Sequence, residues 1–271
     1  MRRKVEGYVM KRGVQTFTVR DFMGSREEVE SSLRKIKEIG YDSVQTWTPP
    51  FMTNEEFKAL LDEVGLETCS SGGDYERMLE DPAAIEKAIE QAKFFGVEYI
   101  GVGTLPRELR ESESGYRQYA EGINKIAAQL KKENLKLLYH NHALEFFSLG
   151  GGLKGMDIIL NETDPDGLHF TLDTHWLTAG GVNVVDWIYK VEGRMKIVHF
   201  KDYAIVGGAV KIEDVCKNFA EVGEGNVDWP NVVKACKDIG VEFAIVEQDV
   251  CPGDPFDSLK ISFDNMVKFG V

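Results

Sequence analysis

Positive charge is in short supply in this chain. Lysine and arginine number 32 against 45 aspartates and glutamates, a formal net charge of −13. That balance works against nucleic acid and against an anionic membrane surface as partners. A small phosphorylated substrate stays open, because a local site can be basic on an acidic protein. Long apolar runs are also missing, and no stretch approaches the ~18 residues of a membrane span. The start, Met1-Arg2-Arg3-Lys4-Val5-Glu6-Gly7, has charge but no apolar core, so no signal peptide is expected. Cysteine is scarce: Cys69, Cys216, Cys236 and Cys251 show no CxxC or other metal spacing. A chain of 271 residues with 43% hydrophobic content has a core without disulfide staples. Reduced thiols and a cytoplasmic location are the simplest reading. Linkers and low-complexity segments are absent too, which predicts one domain over residues 1–271.

What is present is an alternation of short apolar runs with helical patterns. Strands are expected at 14–19, 43–47, 66–70, 97–102, 137–142, 168–173, 195–200 and 243–247. They are nearly continuous in hydrophobicity, as buried parallel strands are. Between them lie amphipathic segments with clear starts and stops. Ser25-Arg26-Glu27-Glu28 and Thr53-Asn54-Glu55-Glu56 both have the capping-box pattern, and Gly40 and Gly65 close the helices they open. Eight such units fit a closed (β/α)8 TIM barrel or an open doubly wound sheet. No GxGxxG follows the first strand, which disfavours the dinucleotide-binding open sheet. The expected fold is therefore α/β, a (β/α)8 TIM barrel.

In such a barrel, active residues sit where strands end and βα loops begin. The chain has five histidines. His140 and His142 end the fifth strand, His175 follows the sixth, and His199 lies on the seventh. Asp173 ends the sixth strand and Glu247 the eighth. Strand alternation puts Asp173 on one face with His175, His199 with Lys201, and Glu247 with Asp249. Carboxylate, imidazole and carboxylate from neighbouring strand ends make a mixed N/O donor set suited to Mn²⁺, Mg²⁺, Co²⁺ or Zn²⁺. A metal there would grip adjacent sugar oxygens and acidify a carbon-bound proton beside a carbonyl. A nearby carboxylate or imidazole could move that proton. Blander roles stand beside these. His169, at the start of its strand, reads as structural; Glu145 could cap a loop; Trp176 could plug a loop or wall a sugar face. Gly223-Glu224-Gly225 before Asp228-Trp229-Pro230 reads as a turn into a helix.

The chain resembles the sugar phosphate isomerase/epimerase proteins of the xylose-isomerase-like TIM-barrel superfamily. The resemblance is carried by Tyr139-His140-Asn141-His142 with Glu145-Phe146, Leu172-Asp173-Thr174 with Trp176, His199-Phe200-Lys201-Asp202 and Val222-Gly223-Glu224-Gly225. It runs from Gly13-Val14-Gln15-Thr16 to Glu247-Gln248-Asp249. It implies one divalent metal held by Glu, Asp, His and Glu from the fifth to eighth strands. Asp173, His199 and Glu247 match the last three. The position of that fifth-strand glutamate falls on His140 here, so either Glu145 reaches back as the ligand or His140 takes its place. Glu145 is the expected ligand, and manganese the expected ion.

The resemblance implies an isomerase or epimerase of carbohydrate metabolism, acting on a sugar, keto-sugar or polyol by proton abstraction next to a carbonyl. His142, His140 and Glu247 would move protons, and Lys201 would polarise an oxygen. Gln15, His175 and Trp176 would touch substrate. The wider superfamily also implies a lyase reading on the same site: an inosose dehydratase, a keto-sugar lyase or a C-glycoside-cleaving subunit. A third reading is a non-catalytic sugar-binding chain. A homo-oligomer or a second subunit is compatible with all three.

Overall fold

A computed structural model describes residues 9–207 and 216–271. The charged stretch Met1–Gly7 lies outside them. The strands are β1 (Lys11–Gln15), β2 (Ser43–Gln45), β3 (Glu67–Thr68), β4 (Ser71–Gly73), β5 (Tyr99–Val102), β6 (Lys136–His140), β7 (Leu168–Asp173), β8 (Ile197–Phe200), β9 (Asp202–Val206), β10 (Cys216–Ala220) and β11 (Phe243–Val246). The helices are α1 (Arg26–Ile39), α2 (Asn54–Val64), α3 (Tyr75–Glu80), α4 (Pro82–Phe95), α5 (Glu113–Leu130), α6 (Gly155–Glu162), α7 (Thr174–Ala179), α8 (Val184–Lys190), α9 (Trp229–Ile239) and α10 (Pro255–Lys268). The chain separates into two compact units, residues 1–68 with 198–271, and residues 69–197.

In the first unit the strands run in the order β3-β2-β1-β11-β8. β1 is parallel to both neighbours, with Val14 beside Val246 and Gln15 beside Gln45. Gly13 permits the approach of β1 to β2, because a Cβ there would overlap Ser43 Oγ. The helices begin on side-chain caps. Ser25 accepts from Glu28 N, while the Glu28 carboxylate takes Gly24 N–H instead of closing the box. Thr53 and Glu56 do close theirs, each side chain taking the other's backbone N–H. Val29, Leu33 and Ile36 of α1 are fully buried. Each contributes about 1.5–3 kcal/mol relative to an exposed position.

The second unit has the order β7-β6-β5-β4, all parallel. Every residue of β7 is buried, and Leu137, Leu138 and Tyr139 of β6 are equally enclosed. Tyr139 meets Tyr119 of α5 edge-on, with ring centroids 5.8 Å apart. Tyr139 therefore faces the helix layer, and the alternation of β6 turns His140 to the other side.

Three features depart from the sequence expectations. The first strand ends at Gln15, because the Gln15 side chain accepts from Phe17 N–H and turns the chain into a 3-10 helix over Thr16–Phe22. The third strand is two short pieces with different partners: β3 pairs with β2, and β4 with β5. Finally, an unanticipated antiparallel hairpin, β9–β10, follows β8, pairing Asp202 with Ala220. No helix among the described residues is long and apolar enough to cross a membrane.

Candidate functional site

In the first unit, polar side chains gather at the ends of β1, β2, β8 and β11. His199, Lys201 and Glu247 are almost wholly buried, with Lys201 at 1% exposure. His199 Nδ1 lies 3.0 Å from Glu247 Oε2, and His199 Nε2 lies 2.5 Å from Gln45 Oε1. Lys201 donates to Asp249 Oδ1 at 2.7 Å and to Glu247 Oε2 at 3.3 Å. Gln45 Oε1 also accepts from Gln15 Nε2 at 3.0 Å. Gln15 Oε1 accepts the backbone N–H of Phe17 at 3.3 Å.

This relay fixes the tautomer of His199. A backbone N–H is always a donor, so Gln15 must present its oxygen to Phe17 and its amino group to Gln45. Gln45 then turns its oxygen towards the imidazole, and His199 Nε2 must carry the hydrogen. In the neutral ring, Nδ1 is left with a lone pair aimed at a Glu247 carboxylate oxygen. The Lys201 ammonium already serves that Oε2 at 3.3 Å, and a proton or a metal ion on Nδ1 would make the His199–Glu247 contact favourable as well.

The second unit builds its cluster at the ends of β6 and β7. His140 Nε2 lies 3.3 Å from Asp173 Oδ2. Asp173 is fully buried, and its other oxygen caps α7 by accepting Trp176 N–H at 2.8 Å. Asn141 Oδ1 accepts Asp173 N–H at 3.0 Å and so ties the two strand ends together. The His142 ring sits 4.7 Å from that of His140 and 5.7 Å from Trp176. His175 packs edge-on against Trp176 at 4.8 Å. Glu145 is fully buried on the 3-10 turn Leu144–Phe146. It accepts from Tyr139 OH at 2.6 Å and from His142 N–H at 2.8 Å. Burial pushes its carboxyl up to about 7, against the opposing pull of the Tyr139 hydrogen bond.

Each cluster thus contains an imidazole beside a carboxylate at adjacent strand ends. His140 and Asp173 in one cluster, and His199 and Glu247 in the other, each have an atom of a metal-ligating type. Within each cluster, an imidazole nitrogen beside a carboxylate oxygen is a donor pair of the kind that suits a divalent ion such as Mn²⁺, Co²⁺ or Zn²⁺.

A model of the xylose isomerase-like TIM barrel family matches residues 33–258. The chain belongs to this family. Its fold is accordingly the (β/α)8 TIM barrel, in which strand C-termini share one end. An inosose dehydratase of Clostridium perfringens is 25% identical over 161 residues, covering 54% of this chain and 52% of that protein. The chain spans about half the length of the curated relatives it matches. A sugar phosphate isomerase/epimerase structure from Parabacteroides distasonis superposes with a TM-score of 0.76 at 22% identity, over 98% of this chain and 96% of its own. An IolI protein solved with a bound zinc atom gives 0.70 at 15% identity, over 96% of this chain and 98% of its own. These two structural likenesses concern the fold alone.

Within the family frame, Asp173 and His199 lie on β7 and β8, and Glu247 directly follows β11. Gln15 faces Gln45 and Phe17 N–H, not open space. Sequence reading gave Gln45, Asn141 and Asp202 no role of their own. A signal for Gln45 was available: Val14-Gln15-Thr16-Phe17 and Val44-Gln45-Thr46-Trp47 repeat one pattern at two strand ends. The repeat pairs in register, and Thr16 Oγ1 also donates to Thr46 Oγ1 at 3.0 Å. For Asn141 and Asp202 the signal was fainter, since each lay unassigned inside a motif already noticed.

Proposed function

We propose that this chain is a divalent-metal-dependent enzyme that abstracts a proton next to a carbonyl in a sugar, keto-sugar or polyol. The observation that carries the reading is the approach of His199 Nδ1 to Glu247 Oε2 at 3.0 Å inside a buried site. We assign His140, Asp173, His199 and Glu247 as ligands, with His140 in the place where the sequence reading put Glu145. Manganese is the favoured ion, with Mg²⁺, Co²⁺ and Zn²⁺ as alternatives. When bound, it supplies Lewis-acid polarisation of adjacent substrate oxygens.

The chain's own residues do the rest. His142, half-buried beside His140, takes the carbon-bound proton, and Glu247 serves as its acid–base partner. Lys201 donates a hydrogen bond to the oxygen that gains negative charge. Trp176 walls one face of the sugar, with His175 packed behind it. Gln15 acts through Gln45 on His199. Return of the proton to the other face, or to the neighbouring carbon, gives an epimerase or isomerase.

A lyase is the second reading, and the inosose dehydratases among the relatives favour it. The same first step leads to loss of water when a hydroxyl sits β to the carbonyl. One experiment separates them. The protein is loaded with Mn²⁺ and incubated with keto-sugars and inososes in deuterated water, and the products are read by NMR. Deuterium in recovered or epimerised sugar supports the first reading, and an unsaturated product the second. Binding without exchange or elimination across the panel would leave a sugar-binding chain. Asp173→Ala and His199→Ala should each abolish Mn²⁺ uptake, and unchanged metal content in both would sink the site.

A further inference from the structure

We infer that Glu145 is a positioning residue for His142 and not a metal ligand. The inference rests on the proposed role of His142 in proton transfer. Glu145 lies on the Tyr139 side of β6. Its Oε1 is 2.6 Å from Tyr139 OH, and Tyr139 packs against Tyr119 of α5. The backbone of the same turn is held to α5 as well, because Tyr116 OH donates to Leu144 O at 3.2 Å. His140, one residue along from Tyr139, projects from the other side of the strand and meets Asp173. The carboxylate is therefore sequestered between strand and helix, at 0% exposure, while the ligand-type side chains point away from it.

Its second oxygen acts on the site through the backbone. Oε2 accepts His142 N–H at 2.8 Å, just beyond the end of β6. Asn141 holds the preceding peptide region to Asp173 N–H. Together the two bonds anchor the backbone at Asn141 and His142. The His142 ring is thereby set against His140 at 4.7 Å and Trp176 at 5.7 Å. Glu145 is the tie that converts a strand end into a fixed imidazole.

The test compares Glu145→Gln with Glu145→Leu in the full chain. Glutamine can keep both bonds: its oxygen accepts His142 N–H, and its amino group donates to Tyr139 OH. Leucine keeps neither. The readouts are the Kd for Mn²⁺ by calorimetric titration, kcat and KM for the exchange reaction, and the His142 ring resonances. The ring of Trp176 makes those resonances sensitive to position. We expect E145Q to resemble the parent in all three. E145L should hold Mn²⁺ within about threefold but lose about 100-fold in kcat, the loss that a misplaced catalytic group brings. Its KM should change little, and the His142 resonances should shift.

Loss of Mn²⁺ binding in both variants would make Glu145 a ligand and overturn the inference. So would an E145L variant with unchanged His142 resonances and kcat. Failure of the metal reading shows differently, as a parent protein that takes up no Mn²⁺. The His142 resonances of E145Q and E145L then still decide whether Glu145 holds that residue.

Discussion

Replacing Asp202 by asparagine should destabilise the protein strongly, although the change only swaps one oxygen for an amino group. Asp202 is fully buried at the start of β9. Its Oδ1 accepts the N–H groups of Tyr203 at 2.8 Å and Val227 at 3.1 Å. Its Oδ2 accepts those of Gly223 at 3.0 Å and Gly225 at 3.2 Å, together with the Trp229 indole N–H at 2.5 Å. An amide can serve only one of these groups. In its better orientation the oxygen keeps Gly223, Gly225 and Trp229, and the amino group confronts the N–H groups of Tyr203 and Val227. A buried donor without an acceptor costs about 1–3 kcal/mol, and the retained bonds lose their charge assistance. The expected loss is about 3–6 kcal/mol, a large part of the ~5–15 kcal/mol of a typical domain. Urea unfolding, followed by circular dichroism with m held common, measures it. Trp229→Phe removes a single donor and should cost about 1–2 kcal/mol, which keeps the test usable if D202N folds poorly. A D202N unfolding free energy within about 0.5 kcal/mol of the parent's, on the order of the scatter for surface substitutions, would refute the account.

The Asp202 nest also shows what a sequence does and does not disclose. His199-Phe200-Lys201-Asp202 and Gly223-Glu224-Gly225 were both visible as patterns, yet the second read as a simple turn. They belong together. A Cβ on Gly225 would overlap Tyr203 O and the Asp202 carboxylate, so glycine is there to let the loop close on the acid. A contact between residues so far apart in sequence leaves no local periodicity. The strands were legible for the opposite reason, because burial on both faces writes a continuous apolar run such as Leu168–Asp173. The strand ends were legible through parity, which needs only neighbours. In the proposed ligand set His140 stands where Glu145 was expected, and parity could not choose between them because it says nothing past the last strand residue. Beyond His140 the chain turns, and the fate of Glu145 is decided by Tyr139 and by the backbone at His142. Gln45 was hidden for another reason. A glutamine at a strand end carries no charge and binds no metal well, so its importance emerges only once Gln15 and His199 are seen on either side of it.

His169 predicts an acid limit to stability. Burial lowers its pKa to about 4, from 6.5 in the unfolded chain. The unfolded state therefore takes the proton first, and stability falls as pH drops from about 6.5 towards 4. His169→Gln should flatten that part of the stability–pH curve by on the order of 1–3 kcal/mol. An unchanged slope in urea melts at pH 4.5, 5.5 and 6.5 would count against it. The tautomer of His199 gives a second test. Gln45→Leu removes the acceptor that holds hydrogen on Nε2, and the ring can then place hydrogen on Nδ1, the nitrogen that faces Glu247. Mn²⁺ must compete with that hydrogen, so affinity should fall by about 10–100-fold, the usual effect of losing a hydrogen-bond partner behind a metal-binding histidine. Gln45→Glu keeps an oxygen that accepts from both Gln15 and His199, and should bind Mn²⁺ much as the parent does. Nitrogen-15 shifts of His199 in the metal-free proteins report the tautomer directly. If Q45L keeps the Nε2–H form and the parent's Mn²⁺ affinity, Gln15 and Gln45 do not govern the imidazole, and the lone pair facing Glu247 needs another origin.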